Sequence, residues 1–558
     1  MAARRFRHGT NFAITAIALF VILVVVNVFS YHHFARWDLT KDREYTVSET
    51  TRDVLGGLDN IVNVTVYLSK DLPAALLTFE QQLRDLLDEY ETYGKGNLRI
   101  EYKSPAEDAN AQRELYFQGV RPQPVLVIKR DQRTQVQVYN SIVVQYKDQR
   151  EIIPSLLDEG SRGQTGLISN FEYLLTSKIF KVRRGSRDTI GWLTNDPDIN
   201  LNKHFRILRE LMRKEWDSLD IRTDPLRQIP FTVSVLVVIN PCEMTDAQLF
   251  EIDQYLMRGG KMLVLGETYK RQLRNEGLEA LTRRPTNFSR LLERYGVKIN
   301  NEIALEPQLF CALAPINRFP MPYEFWVKIM GDRMSKTNPA MARLGVLTLP
   351  WTQPLDPTSG SAGVQLAPLA WTSRLSLVRW GNQILPAPQA PTQEQSTKGT
   401  SYTVAAALTG TFPSSFAEGT SYPLDQGTTT PAAGRTPEKE RRYISPETQI
   451  VVVGNSYFLQ DEFLRMSQLL DPNNNVAFFQ NMVEWLVLGK GLGQIRTRQT
   501  ISRMLDAEIL KVTAGGARNA YKILGTFAMP VLVVIGGFGY NFIRRRRRRA
   551  IADRILRG

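Results

Sequence analysis

Cysteine and histidine are scarce in this chain, with two Cys and four His among 558 residues. Two thiols cannot build a disulfide framework or a four-thiolate zinc site. Cys242 lies in Asn-Pro-Cys-Glu, without the flanking glycines of a nucleophile elbow, and Cys311 has no such setting either. Three of the histidines (His8, His32 and His33) flank the first long apolar run, which leaves His204 in a stretch of helical pattern. A surface histidine is the ordinary role there, and so few imidazoles disfavour a zinc hydrolase. A phosphate-cradling loop is also missing: Gly489-Lys-Gly-Leu-Gly-Gln494 lacks both the spacing and the Lys-Ser/Thr ending. ATP-driven work would therefore fall to a partner. Acids are plentiful, so chemistry by carboxylates alone stays open.

Basic residues are present in excess, but the excess is unevenly placed. The formal charge is +14, from 70 Lys plus Arg against 56 Asp plus Glu. Residues 1–9 carry Arg4, Arg5 and Arg7 with no acid, giving +3, and residues 544–558 carry eight Arg against Asp553, giving +7. The two tails supply +10 of the +14. A nucleic-acid binder would be expected to carry its basic excess on a folded surface, so the pattern argues against that class.

Each basic tail adjoins an apolar run. Asn11–Tyr31 is twenty-one residues without a charge, and Ile523–Ile543 is another of the same length. Such runs just cross a hydrocarbon core of about 30 Å as a helix. For the first, a cleaved signal peptide is the alternative, although its apolar region is ordinarily shorter. The expectation is thus a cytoplasmic tail 1–9, a membrane span 10–31, a second span 521–543 and an Arg-rich tail 544–558. Arg544, Arg545 and Arg546 would hold the second tail in the cytoplasm beside anionic headgroups of membrane lipid. Residues about 32–518 would then be external, ending in a membrane-proximal helix at 495–518.

The expected fold class is α/β, with two external domains between the spans. In the first, 45–182, Ser48 can cap a helix through Leu55. Val62, Val64, Val66 and Leu68 alternate on a strand face, and residues 74–93 follow with helical spacing. The order βαβαββ with a closing helix at 164–180 is similar to a thioredoxin-like domain. Pro124 would be its proline before the third strand, packed on the loop after the first. That loop is Ser69-Lys-Asp-Leu-Pro73, without Cys-x-x-Cys, so the likeness implies binding or spacing and not thiol exchange. A generic α/β layer is the alternative.

The second domain, 186–490, reads as a doubly wound parallel sheet. Val233–Ile239 is apolar on both faces, as a central strand covered by helices requires. The stretch 352–440, rich in Pro, Ser, Thr and Gly, reads as a loop-rich insertion. Ligands of such sheets sit beyond the carboxyl ends of the strands. Those ends place Asn195, Asp196, Glu243, Glu267 and Asn455 as a possible binding cluster. Turn-making and helix-capping roles account for the same residue types. No catalytic residue, metal ligand or cofactor is assigned.

Several ordered segments, Trp37–Thr51, Phe288–Asn300, Leu408–Phe416, Gly454–Leu459 and Asn481–Leu486, together resemble the GldG-type gliding-motility auxiliary family of ABC transport systems. The resemblance implies a non-ATPase subunit partnered by a separate ABC ATPase and a multi-span permease, possibly with further envelope proteins. It also implies an amidotransferase-like second domain without that fold's catalytic machinery. The alternatives from other classes are an envelope hydrolase using carboxylates and a structural scaffold joining a transporter to surface machinery.

Overall fold

The computed structural model describes residues 47–498 apart from short internal stretches, of which 385–398 and 424–433 are the longest. The first domain opens on helix α1 (Glu49–Gly56), capped as its sequence requires by Ser48, whose hydroxyl accepts from the Thr51 amide at 3.2 Å. Strand β1 (Val62–Leu68), helix α2 (Leu77–Tyr93) and strand β2 (Leu98–Lys103) follow, with β1 and β2 parallel. After helix α3 (Ala109–Phe117) comes a two-stranded hairpin, β3 (Gln123–Lys129) with β4 (Gln132–Val138). Only then does the sheet resume with β5 (Asn140–Tyr146), antiparallel to β1, and β6 (Gln149–Ile153). The order β2-β1-β5-β6 leaves the hairpin outside the sheet. A small pair, β7 (Leu157–Glu159) with β8 (Thr165–Leu167), precedes the closing helix α4 (Phe171–Arg184).

Alternation on β1 is explained by burial, since Val62, Val64, Val66 and Leu68 are all buried against Leu83, Leu87 and Ile179. Helices α1, α2 and α4 are tied by a polar knot inside this core. Glu172 accepts from the Ser48 amide at 2.7 Å and from Thr51 Oγ1 at 2.7 Å, and Tyr90 donates to the Glu172 carbonyl at 2.9 Å.

The second domain is built on seven strands in the order β10-β9-β11-β12-β25-β24-β21. Its parallel part is β9 (Thr189–Leu193), β10 (Asp217–Asp220), β11 (Val233–Ile239), β12 (Lys261–Leu265) and β25 (Thr448–Val453). Between β9 and β10 the helical stretch around His204 is broken at Phe205 into α5 (Leu201–His204) and α6 (Arg206–Met212). Between β11 and β12 lies α7 (Asp246–Met257), whose Thr245 and Gln248 form a reciprocal capping box. Replacing Thr245 by alanine removes one side of it, and equilibrium unfolding should show a loss of about 1 kcal/mol.

Smaller strands then leave the sheet and return. They are β13 (Tyr269–Arg274), β14 (Gly277–Arg283), β15 (Val297–Ile299), β16 (Glu302–Leu305), β17 (Cys311–Ile316), β18 (Phe319–Met330), β19 (Val346–Pro350), β20 (Leu355–Pro357), β21 (Val364–Trp371), β22 (Leu377–Trp380), β23 (Gln383–Ile384) and β24 (Thr403–Gly410). Helix α8 (Ser289–Tyr295) sits among them, and α9 (Asp461–Leu470) and α10 (Asn475–Arg498) close the described chain.

This architecture corrects the expected fold class. Among the described residues no helix is long and apolar enough to cross a membrane, so two flanking spans are not part of the described fold. The segments 10–31 and 521–543, the tails 1–9 and 544–558 with Arg544, Arg545 and Arg546, and residues 499–518 of the membrane-proximal stretch lie outside the described residues. The last helix, α10, carries Glu484 and leaves helical geometry at Gly489 (φ 77°, ψ −173°), which divides it in two. Nor is the large sheet wholly parallel. Strand β24 runs antiparallel to β25, and β21 antiparallel to β24. Both come from the stretch 352–440, so two segments of that stretch are built into the sheet, and the buried alanines Ala405, Ala406 and Ala407 are part of the core.

Ser414, Ser415 and Thr436 of that stretch, and Arg442 just after it, are fastened to α7 by buried polar groups. Glu251 accepts from Thr436 N at 2.9 Å and Oγ1 at 2.6 Å, and Gln254 exchanges bonds with the Arg442 backbone. Asp253 accepts from Tyr295, Ser414 and Ser415 within 2.7–2.9 Å. Burial nevertheless raises the Asp253 carboxyl above its usual 3.8, outweighing these hydrogen bonds. A carboxyl raised in the folded state costs stability while ionised, and that cost is lost as pH falls towards the unfolded value. Urea unfolding should accordingly show the protein gaining stability relative to Asp253→Asn as pH is lowered from 6 to 4.

Candidate functional site

The parallel strands run 2-1-3-4-5 in chain order of β10, β9, β11, β12 and β25, which puts the reversal of winding between β9 and β11. In open sheets that point is where a crevice forms beyond the strand ends. Here it is laced shut. Asn195, just after β9, accepts from the Cys242 amide at 2.8 Å and donates to the Glu243 carbonyl at 2.9 Å, bridging the two loops. Asn240, at the end of β11, is fully buried with φ +43°.

The other strand-end residues are also largely committed to the fold. Glu267, after β12, accepts from Ser456 N at 2.6 Å, Ser456 Oγ at 2.9 Å and Tyr457 N at 3.0 Å through one oxygen, while the other meets Arg271 at 2.7 Å. Asn455, after β25, accepts from the Phe458 amide and donates to the Pro350 carbonyl. Asp196 accepts from the Asp198 amide at 3.0 Å and borders a cleft. Glu243 is exposed and borders a different hollow, with Thr268, Arg283 and Lys298. The five residues therefore do not converge on one point. Three are braces, and Asp196 and Glu243 face separate cavities.

The larger cavity, about 1250 Å³, opens at the carboxyl ends of β9, β12 and β25. Beside Asp196 and Asp198 its walls carry Lys203, Arg206, Lys270, Arg271, Asp461 and Arg465. Lys270 pairs with Asp198. Arg271 lies over the Tyr457 ring at 4.2 Å while held by Glu267, so the brace at the strand ends also sets this wall. Asp461 is buried and caps the start of α6, accepting from the Ile207 amide at 3.0 Å. Arg206 and Arg465 reach its other oxygen at 4.0 and 3.8 Å. Sequence reading does not single out these cations, because they come from three segments that adjoin only in the folded sheet.

The remaining sequence candidates play structural parts or stand apart. The Cys311 thiol is pushed up to about 11 by burial, away from thiolate chemistry. His204 borders the cleft on the short helix α5, where its Nδ1 accepts from the Asn200 amide at 3.3 Å. Pro124 is exposed in the β3–β4 hairpin opposite Gln137. The place against the loop after β1 is taken by Tyr139, whose backbone exchanges hydrogen bonds with Ser69 at 3.2 and 2.9 Å.

The second domain is the part of the chain that defines its class. The chain belongs to the family described as ABC-type uncharacterized transport system, whose profile matches residues 187–487, more than half of the 558. That family is one of ABC-type transport systems. Residues 41–145 match a domain of unknown function, DUF7088. An uncharacterized protein of Borreliella burgdorferi is 22% identical over 351 residues, covering 62% of this chain and 65% of that protein. The chain therefore spans just under two thirds of that relative's length. A looser likeness, with TM-score 0.31 and 15% identity, relates 54% of the chain to 98% of the mmIFT52 N-terminal domain, too low to bear on the fold.

Proposed function

We propose that this chain is a non-ATPase, non-enzymatic subunit of GldG type that works beside a separate ATPase and a multi-span permease, offering its second domain to substrate or to an envelope partner. The observation that carries the reading is the family match over residues 187–487, which covers the domain bearing the cleft. The state of the strand-end carboxylate supports a binding role over a hydrolytic one. Glu267 accepts three hydrogen bonds and an ion pair from its own chain, whereas a general acid or base needs an oxygen directed at substrate. We place the described residues on the external side of the cytoplasmic membrane, in accord with the concentration of positive charge in the two tails.

Helix α10 fits a transmitting role. It packs on α1 and α4 of the first domain and on β11, β12 and β19 of the second, with Phe479 stacked on Trp192 at 5.7 Å. Lys261 donates to the Leu486 carbonyl near the turn at Gly489, securing the end of the regular helix. Purified full-length chain should hydrolyse no MgATP above the buffer rate, and its presence should alter hydrolysis by the partner ATPase–permease pair. Turnover by the chain alone, abolished by no contaminant-directed inhibitor, would overturn the assignment.

A further inference from the structure

Asn240 combines three conditions that a side chain in a settled core seldom meets together. It is fully buried, its φ of +43° lies in the left-handed region, and neither its carboxamide nitrogen nor its oxygen has a hydrogen-bonding partner in the protein. Asparagine tolerates that backbone better than most side chains, so the conformation alone is a small cost. The carboxamide is a larger one. Its donors and its acceptor would each be hydrogen-bonded by water in an open chain, and burial without a partner forfeits those bonds.

The cost falls at the crevice between β9 and β11. The backbone of Asn240 is pinned there, its amide donating to the Leu265 carbonyl at 2.9 Å and its carbonyl accepting from the Cys242 thiol at 3.7 Å. From the opposite loop Asn195 holds the same turn through the Cys242 amide and the Glu243 carbonyl. One carboxamide thus latches the two loops together while another is shut in at the same turn without partners. The closed arrangement is stabilised by Asn195 and opposed by Asn240. Parting the loops breaks the two bonds of Asn195 and lets water or a ligand reach Asn240, effects of comparable size. Such a balance favours local opening well short of global unfolding.

We propose that the β9–β11 crevice is gated, latched by Asn195 and biased towards opening by Asn240, and that the described fold is its closed state. Open, the gate presents two carboxamides at the end of the sheet where ligands of such folds sit. The gate is a property of this domain alone and does not depend on which subunits accompany the chain.

The test follows amide hydrogen exchange of the full-length chain in mild detergent, resolved to single residues. The Cys242 amide is the direct reporter, because it is protected while it donates to Asn195. It should exchange faster than the amide of Val237, which lies in β11 between β9 and β12 and is released only with the sheet. Asn240→Gly removes the unpartnered carboxamide and the left-handed cost together, and should slow exchange at Cys242 about tenfold. Asn240→Asp keeps the shape but puts a charge where no donor meets it, and should speed exchange by about the same factor. The Thr436 amide, held by Glu251 on α7, should change in neither variant.

A water held permanently against Asn240 predicts the reverse for glycine, since losing its anchor would loosen the turn. Unchanged or faster exchange at Cys242 in Asn240→Gly therefore overturns the gate. So does a Cys242 amide that exchanges no faster than Val237 in the unsubstituted chain, because the crevice would then part only on unfolding. If the glycine variant does not fold, Asn240→Asp decides, and unchanged or slower exchange at Cys242 in that variant is the contrary result.

Discussion

Glu267→Ala should cost about 3–5 kcal/mol of folding stability, as expected when one partner of a buried ion pair is removed. Glu267 is 5% exposed and holds four donors: the amides of Ser456 and Tyr457, the Ser456 hydroxyl and the Arg271 guanidinium. Without the carboxylate those donors lose their acceptor inside the protein, and the loops after β12 and β25 lose their common tie. Glu243→Ala is the matching control, since Glu243 is exposed, and should change stability by no more than about 0.5 kcal/mol. Denaturant unfolding of the two variants reads the difference directly. The consequence for function is practical: loss of transport in Glu267→Ala would report misfolding at the strand ends and could not be taken as evidence for a catalytic acid.

Gly454→Ala should be of similar size, about 3 kcal/mol or more, for a steric reason. A methyl group built on Gly454 would stand 2.1 Å from the Gln353 carbonyl oxygen and 3.0 Å from its carbon. The backbone has no room to yield, because Gln353 N donates to Gly454 O at 2.8 Å and Gly454 N donates to Val404 O at 3.1 Å. The residue therefore lies at the junction of β25, β24 and the segment after β19. By contrast, Gly56 at the end of α1 has nothing within 4 Å of the added methyl, and Gly56→Ala should be neutral or slightly stabilising. A large drop in unfolding midpoint for the first variant and none for the second is the expected pair of results.

The regular elements were legible wherever burial imposed a period. The alternation of Val62 to Leu68 and the unbroken apolar run Val233–Ile239 each have one structural solution, a half-covered strand and a fully covered one. The stretch 352–440 was not legible, because Thr403–Gly410 carries three alanines where a core strand usually carries Val or Ile. Its place is set by pairing with β25 and β21 on either side, information that no local pattern contains. The same holds for the buried acids of α7, which look like an exposed face until Ser414, Thr436 and Arg442 close over them.

Pro124 shows how a short segment can mislead. The sequence Arg-Pro-Gln-Pro before an apolar run fits a proline ahead of the third strand, yet that run pairs with β4 as a separate hairpin, and β5 takes the third place. At the strand ends, residue type alone could not separate bracing from binding. Asn195, Glu267 and Asn455 proved to be braces, while the charged wall of the cleft came from Arg206, Lys270, Asp461 and Arg465, separated by up to some 260 positions in the chain.

The central claim, an accessory subunit that acts with a separate ATPase and permease, is tested most directly by isolating affinity-tagged full-length chain from its native cells in mild detergent and identifying what comes with it by mass spectrometry. The account predicts a nucleotide-binding subunit and a multi-span permease in near-stoichiometric amounts. Recovery of the chain alone, monodisperse across several detergents while the permease is detected elsewhere in the same extract, would contradict it.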